Sequence, residues 1–319
     1  MDDQNPLLSD PGSDSPNVIS PPGETIAPES PSTIRVIFMG PTGIRAGWRF
    51  SLYLLIAAAV SLALGFILQG WHPEGTVRLW KQYVFGEAVG LIGAVVAALI
   101  MARIENRPFA IYGLPPGNAF GKPFWIGVVW GLVSITLLLV AIRALNGFYF
   151  GHLALHGSRI IKFGLFWGLF FLLVGLSEEF LLRGYTQFTL STGIGFWPTA
   201  GALSILFGAI HLGNKGENLA GALGAAGIGM FFCLTLRRTG TLWFAVGMHA
   251  SWDWGESFLY SVPDSGMIVP GHFLNSSFQG ATWLTGGSVG PEASLFVFVV
   301  IALMWLLFDR LYPQVKYAP

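Results

Sequence analysis

Charge is what this chain has least of. Asp, Glu, Lys and Arg make up 11% of its 319 residues, against about 25% in ordinary soluble domains. A water-facing shell cannot be built from so few, which excludes the soluble fold classes. The charges also cancel, 17 basic against 17 acidic, so there is no basic footprint for nucleic acid and no strong pull toward anionic lipid. Cysteine is nearly absent. Cys233 alone rules out an intrachain disulfide, and its place in an apolar run makes it a small packing residue rather than a thiol nucleophile. The N-terminus has no basic region followed by an apolar one, so no cleavable signal peptide is expected.

The first 34 residues contain seven Pro, six Ser, six Asp or Glu and neither Lys nor Arg. That mix cannot bury enough surface to fold, and residues 1–44 read as a disordered, acidic cytoplasmic tail. Residues 45–319 read as a membrane domain. Hydrophobic residues reach 53% and mean hydropathy is +0.61. Eight apolar segments follow, approximately 48–69, 83–103, 124–143, 162–190, 196–212, 219–236, 241–261 and 292–312, most near the ~20 residues that cross a hydrocarbon core. The expected fold is an all-α polytopic bundle of about eight transmembrane helices, with no internal repeat. With the N-terminus inside, Lys and Arg divide 11 inside against 6 outside, and the outer loop 262–291 has none. Both termini are therefore expected in the cytoplasm. Gly221, Gly224, Ala225 and Gly229 form a small-residue face suited to close helix packing. Trp48, Trp125, Trp243 and Trp283 fall near span ends, where an interfacial belt is the default.

Against this background, the ionisable residues inside the spans stand out. Glu178, Glu179 and Arg183 lie within six residues of an otherwise apolar run, where each costs roughly 2.5–3.5 kcal/mol on insertion scales. Glu179 and Arg183 share a helix face at i, i+4 and can neutralise each other. Glu178 points about 100° away, toward Tyr185 seven residues on, with no local cation, and is free to act as a base. His211 ends the fifth run, and His249 and Asp253 form a second i, i+4 pair in the seventh. Glu256 shares the His249 face and reads as supporting the site from behind or lining its mouth, not as catalytic. Counted at 1.5 Å per residue, Glu178, His211 and His249 lie about 18, 22 and 12 Å from one membrane face, close enough to line one cavity. The competing readings are a proton-coupled transporter or channel using the same groups as a relay, and a non-catalytic immunity or scaffold protein.

Glu178-Glu179-x-x-x-Arg183, Phe207-x-x-x-His211 and His249-x-x-x-Asp253 resemble, in order, the three motifs of the CPBP family. That family includes type II CAAX prenyl endopeptidases, bacteriocin-processing enzymes and related Abi proteins. The resemblance covers about residues 160–260. It implies an integral-membrane endopeptidase acting on a membrane-associated peptide, either CAAX-type and prenylated or leader-type. The lipid bilayer is its setting, and the bacterial plasma membrane is the expected location. Glu178 and His211 would activate a water, and His249 with residue 253 would stabilise the oxyanion. Glu179 with Arg183 would hold the helix in register. An ionised aspartate cannot donate to an oxyanion, so Asp253 must be protonated, orient His249 or bind metal. The family is often classed with metalloproteases. Either no cofactor or a single Zn²⁺ on Glu178, His211 and His249 is compatible with these residues, although the His-Glu-x-x-His zinc motif is missing.

Overall fold

The computed structural model describes residues 32–40, 43–72, 74, 78 and 80–318. Most of the expected tail, residues 1–31, lies outside the described residues. Residues 32–40 and 43–44, which the composition reads as disordered, carry local structure beside Arg45 and Trp48. Thr33–Phe38 form a short helix α1, capped by the Ser32 side chain, and Met39–Gly40 pair antiparallel with Gly43–Ile44. The cause is local. Apolar residues resume at Ile34, Phe38 stacks on Trp48 at 4.7 Å, and the Trp48 indole N–H donates to the Ile37 carbonyl at 3.1 Å.

Helices overlie all eight apolar segments. They are α2 (Ala46–Gln69), α3 (Gly86–Ile104), α4 (Lys122–Ala144), α5 (Ser158–Glu179) continued by α6 (Tyr185–Ile194), α7 (Phe196–His211), α8 (Leu219–Thr239), α9 (Trp243–Trp254), and, after a four-residue α10 (Thr282–Thr285), α11 (Leu295–Leu311). Five stretches are long and apolar enough to cross a membrane: Ala46–Gln69, Lys81–Ile104, Lys122–Ala144, Ser158–Ile194 and Leu219–Thr239. The only sheets among the described residues are two-stranded. This is a helical membrane bundle, and the protein is an integral membrane protein.

Besides the π segment Trp80–Phe85 that leads into α3, two later spans are not uniform helices. Between α5 and α6 the chain widens into a π turn, Phe180–Gly184, and α9 runs into another, Gly255–Leu259. Such π bulges frequently mark functional sites, and each of these directly follows an ionisable residue or pair that the sequence singles out.

Glycine sets how closely the helices cross. A Cβ added at Gly127 or Gly131 of α4 would run into the α9 backbone at Phe244 and Met248, and one at Gly247 would strike the Phe124 carbonyl. The Ser251 hydroxyl donates to the Val128 carbonyl at 3.0 Å across the same crossing. At Gly175 of α5 a Cβ would stand 3.1 Å from the Val246 oxygen. So α9, which carries His249, is held close to both α4 and α5.

The two ends of the bundle differ. At one end the C-terminal tail returns to α8, with Lys316 and Tyr317 donating backbone N–H groups to the Arg237 carbonyl, and Leu242 N–H donates to Gly113. There too Arg49, counted above as a loop charge, is buried and donates to Glu105 at 3.0 Å and Thr192 at 2.6 Å. Trp243 is likewise buried rather than interfacial, donating to the Pro115 carbonyl. The opposite end is closed by the 212–218 turn and the long 260–294 loop, which pairs Ser277–Phe278 with Phe148–Tyr149.

Replacing Gly131 with valine should therefore force α4 and α9 apart at a cost of about 1–3 kcal/mol. A thermal melt of the detergent-purified variant should show a lowered Tm; an unchanged Tm would mean that this crossing is not tight.

Candidate active site

The site forms where α5, α7, α8 and α9 meet. Glu179, the last residue of α5, is fully buried, and its Oε1 accepts two hydrogen bonds, from Arg183 Nη1 and from His249 Nδ1, each at 3.0 Å. Arg183 is also fully buried, inside the π turn. Its guanidinium lies 4.5 Å over the Phe207 ring and 5.9 Å from that of Phe232, where the ring faces favour a cation. Glu179 Oε2 and Arg183 Nε and Nη2 have no hydrogen-bond partner, so charge pairing carries most of the compensation. Room for the guanidinium comes from α8, where a Cβ at Gly229 would collide with it. The small-residue face thus serves this arginine as well as helix packing.

His249 is fixed from behind. With Nδ1–H given to Glu179, Nε2 is the atom presented to the cavity. It stands 3.7 Å from Glu178 Oε2 and 3.5 Å from Asp253 Oδ2. The ring stacks on Phe232 at 5.5 Å. Sequence spacing allows Asp253 to orient His249 from behind, but Glu179 occupies that place and Asp253 flanks the exposed nitrogen.

His211 Nδ1 donates to the Phe207 carbonyl one turn back at 2.8 Å, which leaves its Nε2 uncommitted. Phe207 packs edge-on against His211 at 4.5 Å and against His249 at 6.4 Å. It separates the two imidazoles while its face holds the arginine.

Glu178, His211, His249 and Asp253 line one cavity of about 650 Å³. Glu179 and Arg183 stand behind its wall. The solvent-exposed residues of its lining, Asn214, Lys215 and Ile268, lie at the loop end and mark its mouth, opposite the end that holds the C-terminal tail.

Tyr185 departs from expectation. The π turn inserts an extra residue, so seven positions no longer return to the same face. Tyr185 is buried on Tyr53, with ring centroids 4.6 Å apart, and its hydroxyl donates to Glu105. Glu256 is fully buried, which places it behind the site and not at the mouth, and its Oε2 accepts from Trp252 Nε1 at 2.8 Å.

Three cavity residues were not anticipated: Glu87 in the first turn of α3, and Asp264 and Glu292 from the outer loop. Glu87 carried the signal that exposed Glu178, an acid inside an apolar run. Asp264 and Glu292 lie in or beside polar loop sequence, where an acid is unremarkable. Asp264 is pushed well above the usual carboxylate range, first by burial and then by Asp253 and Glu292.

The zinc reading does not fit. Glu178, His211 and His249 are not brought within 4.8 Å of one another. Among the described residues the group that is consists of Asp253, Asp264 and Glu292, an all-oxygen set unlike the nitrogen- and sulfur-rich sites zinc favours.

Residues 160–255 match the family model of Rce1-like type II CAAX prenyl endopeptidases. That stretch, less than half of the chain, is similar to this family. No curated protein and no solved structure matches the chain. The matched segment contains all seven residues named by the three motifs. Glu87, Glu256, Asp264 and Glu292 fall outside it.

Removing the arginine should expose what Glu179 costs. Arg183→Met leaves a buried carboxylate without its cation and should destabilise by about 3–5 kcal/mol, while Glu179→Gln combined with Arg183→Met should recover part of that. Melting temperatures of the three proteins check this; a double variant no more stable than the single would remove the pairing.

Proposed function

We propose that this protein is an intramembrane endopeptidase that cleaves a membrane-associated peptide with a water activated by Glu178. The observation that carries the reading is the gap of 3.7 Å between Glu178 Oε2 and His249 Nε2, inside a cavity that His211 also lines. It is too long for a direct hydrogen bond, and one water can bond to both atoms. Glu178 takes the water proton as the peptide carbonyl is attacked and returns it to the leaving amine as the C–N bond breaks, and His211, on the same wall, assists. His249 then donates from Nε2 to the oxyanion, where loss of such a donor typically costs ~10²–10³ in rate. Its neighbours Glu178 and Asp253 are acceptors that hold a proton on Nε2. Glu179 and Arg183 position this imidazole without touching substrate. No step passes through zinc. In the proposed organisation, the tail 1–44 precedes a membrane domain 45–319.

Glu178→Ala and His211→Ala should each abolish cleavage of a membrane-associated peptide without lowering protein levels. Retained cleavage by purified Glu178→Ala would end the mechanism.

Topology narrows the substrate. In the proposed orientation, both termini lie in the cytoplasm of a bacterial cell. The cavity mouth, at the end opposite the C-terminal tail, then faces outward. An outward mouth suits a leader-type peptide. A CAAX tail, which is prenylated on the cytoplasmic side, requires the reverse. Cys233 is buried and should not react, so Gln279→Cys, exposed in the outer loop, can be labelled alone. A membrane-impermeant maleimide should modify it in intact cells. Modification only after permeabilisation would turn the mouth inward and restore the CAAX substrate.

A further inference from the structure

We infer that the groove between α4 and α5 binds one anionic phospholipid, with an acyl chain along α9 and the phosphate at the first turn of α5. The groove holds about 700 Å³ and shares no lining residue with the cavity around Glu178. Its floor is Ala250 and Trp254 of α9 and Phe258 of the π turn that follows, spaced one turn apart. Val128 and Leu132 form one wall, and Leu165 and Leu169 the other. Ala250 and Trp254 are turned about 100° from His249 and Asp253 on the same helix.

The floor offers hydrocarbon only. The Trp254 indole N–H is already given to the Gly164 carbonyl, and the Ser251 hydroxyl to that of Val128, each at 3.0 Å. An extended peptide laid here would find no partners for its backbone groups, which are costly to leave unpaired. A methylene chain needs none. The lining runs along α5 from Ile160 to Leu172, about 18 Å at 1.5 Å per residue. That is close to the ~15 Å depth of one leaflet, half of a ~30 Å hydrocarbon core.

Charge then selects the head group. Lys162 stands on the stripe of Leu165 and Leu169, one turn before them, and Arg159 lies one turn earlier still. Both are exposed, and each lies 6.0 Å from the Phe163 ring. Neither has an acidic partner among the described residues. They sit on the N-terminal turn of α5, which has no side-chain cap, where the helix dipole favours an anion. The chain as a whole is neutral, so this attraction is local. The opposite end of the groove, at Phe124 and Trp125, has Lys122 nearby in place of such a pair. A lipid so placed packs against the helix that carries His249 and Asp253 and helps to hold them.

Phosphatidylglycerol and phosphatidylcholine with identical acyl chains, titrated into the full chain in detergent and read by native mass spectrometry, test this without a cleavage assay. One phosphatidylglycerol should bind at least about tenfold tighter than phosphatidylcholine, and the Arg159→Gln, Lys162→Gln double variant should lose that preference. Lys122→Gln should keep it. Gly168→Leu should weaken the binding of both lipids. A Cβ there meets Trp254 only at 3.8 Å, so the side chain fills the groove without parting the helices. Equal binding of the two lipids by the unmodified protein would overturn the site, as would a preference that survives the double variant. A Gly168→Leu protein that keeps its lipid but changes its oligomeric state would give the groove to a second copy, and would overturn it too.

Discussion

A single carboxylate oxygen, Glu179 Oε1, holds the site together. It accepts from Arg183 and His249, and so joins the end of α5, the π turn and α9 at one point. Exposed ion pairs contribute little, but this one is wholly buried. Losing the arginine leaves a fully buried carboxylate with His249 as its remaining hydrogen-bond donor among the described residues and no cation beside it. Several otherwise unrelated features follow. Gly229 must lack a side chain because the guanidinium occupies that space, and Gly175 must lack one because α9 has to approach closely enough for the imidazole to reach Glu179. Phe207 is aromatic because its face neighbours the arginine while its edge spaces the histidines.

The i, i+4 pairs were legible because helical periodicity is the most dependable signal in a sequence. Glu179 and Arg183 pair as their spacing dictates, and His249 and Asp253 share a face as theirs does. The convergence of Glu178, His211 and His249 on one cavity was accessible from depth arithmetic alone, since straight helices of known rise leave little freedom. What periodicity could not reveal was its own interruption. The π turn after Glu179 moves Tyr185 off the face that a regular helix assigns to it, and nothing in Phe180–Gly184 announces the extra residue. The second carboxylate contact of Glu179, to His249, was hidden for another reason. It crosses 70 positions of sequence, and two helices must be docked before the pair exists.

The outer loop was illegible in a different way. Inside an apolar run, one acid carries information because its burial is expensive. In a polar loop, Asp264 looks like any solvated aspartate. Only the folding of the loop back over α8 and α9 buries it and brings it to Asp253. The same logic covers Ile37 and Phe38, apolar residues at the end of a polar tail, which meet Trp48.

Charge around the cavity also bears on which end of a peptide can enter. Its lining includes Glu87, Glu178, Asp253, Asp264 and Glu292, and the one Lys or Arg there is Lys215 at the mouth. Two imidazoles cannot neutralise five carboxylates. In a low-dielectric setting like charges repel over several ångströms, so a chain ending in a free carboxylate meets an unfavourable field unless that terminus stays beside Lys215. A peptide bond within a longer segment carries no such charge and meets no such barrier.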